Sequence, residues 1–149
     1  MNVREAEITD LDKIIELGKE VEEFNVAEET TTFWPKESIK NLIENEKNSV
    51  IIAENESEIF GFVIINYNPN LNKAIIENIY TKKEYRGKGI GKQLLDYSLN
   101  ILKKKGCSYV CLLVDKNNNN SIEWYERQDF SHGKEFVWFD KILSEDFKK

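Results

Sequence analysis

Glu77-Asn78-Ile79-Tyr80-Thr81-Lys82-Lys83-Glu84-Tyr85-Arg86-Gly87-Lys88-Gly89-Ile90-Gly91-Lys92-Gln93-Leu94-Leu95 reads as a strand that runs into a glycine-rich turn and out into a helix. The backbone N–H groups that open a helix have no partner within it, and the helix dipole adds partial positive charge there. Glycines let a phosphate approach such a backbone without meeting a Cβ, and Arg86 with the nearby lysines adds charge. Two familiar phosphate loops do not fit. A P-loop needs Ser or Thr after Gly-Lys, whereas Gly91-Lys92 is followed by Gln93. A dinucleotide fold wants GxGxxG in its first strand-helix unit, whereas GxGxG stands here in mid-chain.

Around this segment the chain reads as one domain, residues 1–149, without repeat or linker. At this length folding buries roughly two-thirds of the chain's surface, enough for a single core. A composition that is 40% hydrophobic and 32% charged, with 7 Gly and 2 Pro, excludes disordered and collagen-like classes. Apolar runs such as Phe62–Ile65 and Val110–Val114 are too short to cross a membrane. Met1–Glu5 lacks the pattern of a secretory leader, so a cytoplasmic location is expected. Cys107 and Cys111 form no CxxC pair and read as packing residues in a reduced protein; no metal site is expected.

The first 58 residues carry a balance of −10 and the remainder +4, within a net charge of −6. Five bases (Lys82, Lys83, Arg86, Lys88 and Lys92) crowd one short stretch beside a single acid, Glu84. A local positive patch in an acidic protein suits a small anionic ligand, whereas nucleic acid wants a broad basic face. The alternative is a solvated basic helix end.

Periodicity and turn residues predict the order β-α-α-β-β-β-α-β-α-β-β. The first strand spans Val3–Ile8. A helix capped by Thr9 or Asp10 carries Leu11, Ile14, Ile15, Leu17 and Val21 up to about Phe24. Pro35 opens a second helix, and Asn55-Glu56-Ser57 turns a hairpin between Ser49–Ala53 and Ile59–Tyr67. A strand over Lys73–Thr81 precedes the glycine turn, and Gly106 stops the helix that follows. A strand over Tyr109–Val114, a helix over Ser121–Gln128, and strands near Phe130–His132 and Phe136–Leu143 complete the order. Such a chain is a mixed α/β single domain.

Arg86-x-x-Gly89-x-Gly91 resembles the loop by which the GNAT family of N-acetyltransferases holds the pyrophosphate of acetyl-coenzyme A. Asn118-x-x-Ser121-Ile122-x-Trp124-Tyr125, running on to Phe130, is similar to the family's second signature, and Val3-Arg4-x-Ala6 to its opening. Asp129 departs from the family, which mostly has Gly there; a left-handed helix end is tolerated by Asp. The resemblance implies a mostly antiparallel central sheet with helices on both faces. It also implies direct transfer of an acetyl group from the thioester to an amine, with acetyl-CoA as cosubstrate.

A free alkyl amine, with a pKa near 10.4, must lose a proton before it attacks, and a departing thiolate benefits from a donor. The resemblance makes Tyr125 that donor; its other role is helix packing against Ile122 and Phe130. Glu77 is the candidate base. Alternation places Ile75, Glu77 and Ile79 on one face, where apolar neighbours would desolvate the carboxylate. Its other reading is a structurally paired acid. The family gives the backbone of Ile79, Tyr80 and Thr81 the pantetheine arm. The loop groups Arg86, Gly87, Lys88, Gly89, Ile90, Gly91 and Lys92, with Asn118 and Ser121, would hold the cofactor; Asn118 would otherwise cap a helix.

In this family the acceptor meets the first two helices and their connection. Here that region carries Glu20, Glu22, Glu23, Glu28 and Glu29 among Phe24, Phe33 and Trp34. Carboxylates attract a cationic amine and aromatic faces hold it, so Phe24, Glu28 and Trp34 are candidate substrate contacts. The stretch Glu77–Leu94 and the Ser-Ile-x-Trp-Tyr helix most resemble the diamine and polyamine branch. The expected partner is therefore a small amine, with neither nucleic acid nor membrane, and a homodimer is possible. The competing readings are acetylation of a protein N-terminus or lysine, and a module that senses coenzyme A without turnover.

Overall fold

Phe60 through Ile65 is buried at every position, and a strand apolar on both faces must be covered on both. The computed structural model, which describes residues 1–46 and 49–149, puts this strand at the centre of the sheet. Strands β1 (Asn2–Glu5), β2 (Val50–Glu54), β3 (Ile59–Asn68), β4 (Lys73–Thr81) and β5 (Tyr109–Leu112) lie side by side in that order. The first four pair antiparallel and β5 joins β4 in parallel.

Helices α1 (Leu11–Lys19) and α2 (Lys36–Asn45) cover one face, and α3 (Ile90–Lys104) covers the other. On the first face Ile14 and Ile39 pack on Ile52, Phe62 and Ile64; on the second Leu94, Leu95 and Leu102 pack on Ile51, Val63 and Ile65. Burying each such side chain contributes on the order of 2 kcal/mol. Gly18 in α1 admits the Phe33 ring, which a Cβ would meet at 2.4 Å. Helix α3 ends at Gly106, φ +83°, where the Cys107 N–H bonds back to the Leu102 carbonyl.

Asp10 accepts from the Glu7 N–H at 2.8 Å and from Arg4 at 2.8 and 3.1 Å, while Arg4 also grips Glu54 at 2.6 and 2.9 Å. The guanidinium therefore clamps the start of α1 to the β1–β2 edge. The first strand ends at Glu5 rather than Ile8, because Ile8–Asp10 forms a 3-10 turn into α1. Helix α1 ends at Lys19, short of Phe24: Val21 bonds back to the Gly18 carbonyl, and Glu22–Phe24 forms a separate 3-10 turn.

The two closing strands expected near Phe130–His132 and Phe136–Leu143 are absent, so the predicted order ends after the helix α4 (Asn119–Glu126). Residues 131–143 are irregular and almost entirely exposed. Their aromatic and β-branched composition suits a strand, but a strand also needs a ladder partner, and among the described residues they pair with none. Asp129 adopts the left-handed conformation expected of it, φ +63°, as the Phe130 N–H closes α4 onto the Tyr125 carbonyl.

Candidate active site

The pairing of β4 with β5 runs only from Lys73 opposite Tyr109 to Ile76 opposite Leu112, whereas β4 continues to Thr81. Among the described residues, Glu77–Thr81 has no strand partner on that side. Strand β4 there faces an opening, and Leu113, leaving β5, is 70% exposed. Backbone groups of Ile79, Tyr80 and Thr81 are thus available to an extended ligand.

Glu77 sits at an irregularity in β4. Ile64 pairs with Asn78 and Ile65 with Ile76, so Glu77 is the extra residue of a bulge, a device that re-aims a side chain. The bulge breaks the alternation that would group Ile75, Glu77 and Ile79. Ile76 and Ile79 both pack on the α3 side, and the Glu77 carboxylate accepts from Asn66 Nδ2 at 3.3 Å.

The glycine turn follows β4 directly. Gly87 and Gly89 hold φ of +75° and +78°, and a Cβ built on either meets nothing within 4 Å. Open space above a left-handed turn that feeds a fifteen-residue helix fits an anionic group lying on the N–H groups of Ile90, Gly91 and Lys92. Arg86 donates to the Thr81 carbonyl at 2.8 Å and stacks over the Tyr80 ring at 5.5 Å. Lys88 lies 5.2 Å over Tyr85. Among the described residues, two of the five clustered bases have acidic partners: Lys82 pairs with Glu58, and Lys92 with Asp96 at 2.6 Å. Hydrogen bonds from Lys82 and Tyr85 hold Glu58 below its ordinary carboxylate range, and Glu58 in turn raises both partners.

Gly91 joins the parts. A Cβ there would meet Trp124 Cζ2 at 3.4 Å and Thr81 Oγ1 at 3.8 Å, so the end of β4, the start of α3 and helix α4 converge on it. Asn118 caps α4, its Oδ1 accepting the Ser121 N–H at 3.1 Å. That is the structural role open to both residues. Tyr125 stands edge-on to Trp124 at 4.9 Å and to Phe130 at 5.6 Å. Burial raises its phenol above the ordinary value, so it stays protonated through the physiological range.

The connection between α1 and α2 lies on the opposite face from α3. Phe24 packs near Phe33, Phe62 and Tyr80, at centroid distances of 5.9, 6.0 and 6.3 Å. Trp34 Nε1 donates to Asn78 Oδ1 at 2.6 Å, and its ring meets Phe147 edge-on at 6.2 Å. The tail holds the same loop: Thr31 N–H donates to the Phe147 carbonyl and Lys149 N–H to the Glu29 carbonyl, at 2.9 and 2.8 Å. Glu28 is exposed. Asn66, Asn78 and Phe147 were not apparent from sequence, since their contacts with Glu77 and Trp34 cross long stretches of chain.

A model of the acetyltransferase (GNAT) family matches residues 15–130. The chain belongs to this family and is an N-acetyltransferase that uses acetyl-coenzyme A as cosubstrate. It is 28% identical over 161 residues to a spermidine N(1)-acetyltransferase of Thermoplasma acidophilum, an alignment covering 97% of this chain and 99% of that protein. Its fold is similar to a crystal structure described as a transcriptional regulator from Bacillus halodurans, with TM-score 0.75, 23% identity, and coverage of 94% and 99% of the two chains. It is also similar to a diaminobutyrate acetyltransferase from Paenibacillus lautus in complex with L-2,4-diaminobutyric acid and coenzyme A. There the TM-score is 0.71 and the identity 19%, with coverage of 85% and 73%. No helix among the described residues is long and apolar enough to cross a membrane.

Proposed function

We propose that the chain acetylates a primary amine of a small cationic di- or polyamine. The observation that carries this reading is the β4 bulge at Glu77, whose carboxylate accepts from Asn66 and which stands immediately before Asn78, the residue to which Trp34 of the acidic, aromatic loop is tied. Acetyl-coenzyme A supplies the acetyl group as a thioester. Arg86, Lys88 and the turn from Gly87 to Lys92 hold its anionic portion, and the free edge of Ile79–Thr81 receives the pantetheine arm. Glu77, directly or through water, takes the proton that frees the amine lone pair. The nitrogen attacks the carbonyl carbon, the C–N bond forms, the C–S bond breaks, and the extra proton left on the nitrogen passes to solvent. Tyr125 hands its hydroxyl proton to the departing sulfur and is reprotonated from solvent.

Glu28 and Glu29 draw the second ammonium of the acceptor, and Phe24 and Trp34 flank its carbon chain. The paired substitution Glu28→Lys with Glu29→Lys is expected to raise the acceptor KM at least tenfold and to leave the acetyl-CoA KM unchanged. An unchanged acceptor KM overturns the diamine reading.

A further inference from the structure

Glu58 stands just ahead of β3, on the turn from β2, and takes no part in the chemistry described so far. Asn55 Oδ1 sets that turn by accepting from the Ser57 and Glu58 N–H groups at 2.9 and 3.0 Å. The half-buried Glu58 carboxylate reaches across to the chain leaving β4, and each oxygen holds a different residue. Oε2 takes the Lys82 ammonium, and Oε1 accepts from the Tyr85 hydroxyl at 2.5 Å.

Lys82 and Tyr85 bracket the 3-10 turn Lys83–Tyr85 that carries the chain from the sheet to Arg86. The Lys82 N–H donates to the Phe60 carbonyl at 2.8 Å, and the Tyr85 N–H to the Lys82 carbonyl at 2.9 Å. The Tyr85 ring lies flat on buried Phe60, with centroids 4.3 Å apart and planes 11° from parallel. Asn55 Nδ2 adds a 3.4 Å hydrogen bond to the Tyr85 hydroxyl. Backbone, ring and hydroxyl of Tyr85 are thus all fixed, two residues before Gly87. Lys88, inside the glycine turn, stands over the same ring at 5.2 Å.

That anchorage matters because Gly87 and Gly89 lose more conformational freedom on ordering than any other residue type. A ligand that has to order the turn itself binds more weakly by that cost. Helix α3 holds the turn downstream; upstream the hold is the pair of bonds to Glu58. Charge alone argues the other way. A carboxylate near an anion site repels the anion, so simple electrostatics makes Glu58→Gln the tighter binder, and positioning makes it the weaker one.

We propose that Glu58 is a positioning residue for the cofactor. Through Lys82 and Tyr85 it holds the glycine turn in the shape that receives the pyrophosphate of acetyl-coenzyme A, without touching the cofactor. The inference rests on the reading of that turn as the coenzyme A site.

The test is calorimetric titration of the full chain with coenzyme A, with two-substrate kinetics beside it. The proteins are wild type, Glu58→Gln, Lys82→Met/Tyr85→Phe, the triple variant and Gly89→Ala, each checked by circular dichroism. Glu58→Gln is expected to weaken coenzyme A binding about fivefold and to raise the acetyl-CoA KM in step, with kcat and the amine KM near wild type. In the Lys82→Met/Tyr85→Phe background the same substitution should have no further effect. Unchanged or tighter binding in Glu58→Gln, with Gly89→Ala weakened, overturns the positioning role alone. Unchanged binding in both overturns the assignment of the turn and the positioning role with it. A full loss repeated in the Lys82→Met/Tyr85→Phe background means that Glu58 acts by another route, and overturns the proposal too.

Discussion

Trp34 and Asn78 stand 44 residues apart in the chain and are joined by a 2.6 Å hydrogen bond from the indole Nε1 to the amide oxygen. Asn78 follows the bulge residue Glu77, so this bond ties the loop between α1 and α2 to the strand that bears the proposed base. Asn78→Ala removes the acceptor and leaves a partly buried donor unmatched, a loss of about 1 kcal/mol. The acceptor KM should rise roughly fivefold at constant acetyl-CoA KM, as two-substrate kinetics would show.

Gly89 holds φ +78° beneath open space. An alanine there takes a left-handed conformation at a cost of roughly 1–2 kcal/mol, and its methyl projects where the anion would approach. Gly89→Ala is expected to lower stability by about 1 kcal/mol and to weaken coenzyme A binding more than the acceptor KM. Calorimetric titration with coenzyme A, beside a urea melt, reads the two effects separately.

Tyr125 is raised by burial, and the sign of that shift fixes a pH dependence. Its folded phenol keeps its proton above the ordinary value of 10.0, at which the unfolded phenol ionises. This contribution is fully present below about pH 10 and declines as pH climbs toward the folded value. Tyr125→Phe should therefore flatten the alkaline fall in unfolding free energy, leaving a residual slope from Tyr85, which is also raised. The same substitution should reduce kcat about 100-fold with coenzyme A affinity retained, if the hydroxyl protonates the sulfur. Urea melts between pH 8 and 11 and steady-state rates supply the two readouts.

Arg4 bridges Asp10 and Glu54. Burial pushes the Asp10 carboxyl up, but hydrogen bonds from Arg4 and the Glu7 N–H, with the Arg4 charge, outweigh it and hold the group low. Hydrogen bonding to Arg4 likewise lowers Glu54. Lowered carboxyls contribute stability above their unfolded values, and that stability is lost as pH falls through the folded ones. Arg4→Met leaves the two carboxylates facing each other without their cation. It should cost about 2 kcal/mol at pH 7 and move the acid-unfolding midpoint toward neutrality, measured by fluorescence across an acid titration.

Local signals in the sequence carried much of this structure. The glycine turn and the Gly106 stop depend on backbone preferences that neighbouring residues announce, whereas the left-handed Asp129 was expected only from the family resemblance. The Glu77 bulge was hidden, because a one-residue insertion leaves the run Ile75, Glu77, Ile79 looking like regular alternation. Trp34 with Asn78, and Glu77 with Asn66, are set by tertiary pairing that no periodicity encodes. The stretch from Phe136 to Leu143 misled for a different reason: its composition is that of a strand, but composition does not make a ladder, and among the described residues it pairs with no strand.

The central claim is most directly tested by mixing purified protein with acetyl-coenzyme A and following free-thiol release across an amine panel. The panel holds polyamines, diamines, single amino acids, aminoglycosides and peptides with free N-termini. Release driven by di- and polyamines, abolished or strongly slowed in Glu77→Gln, is the predicted result. Release driven by the peptides alone, with no response to any small amine, would contradict it.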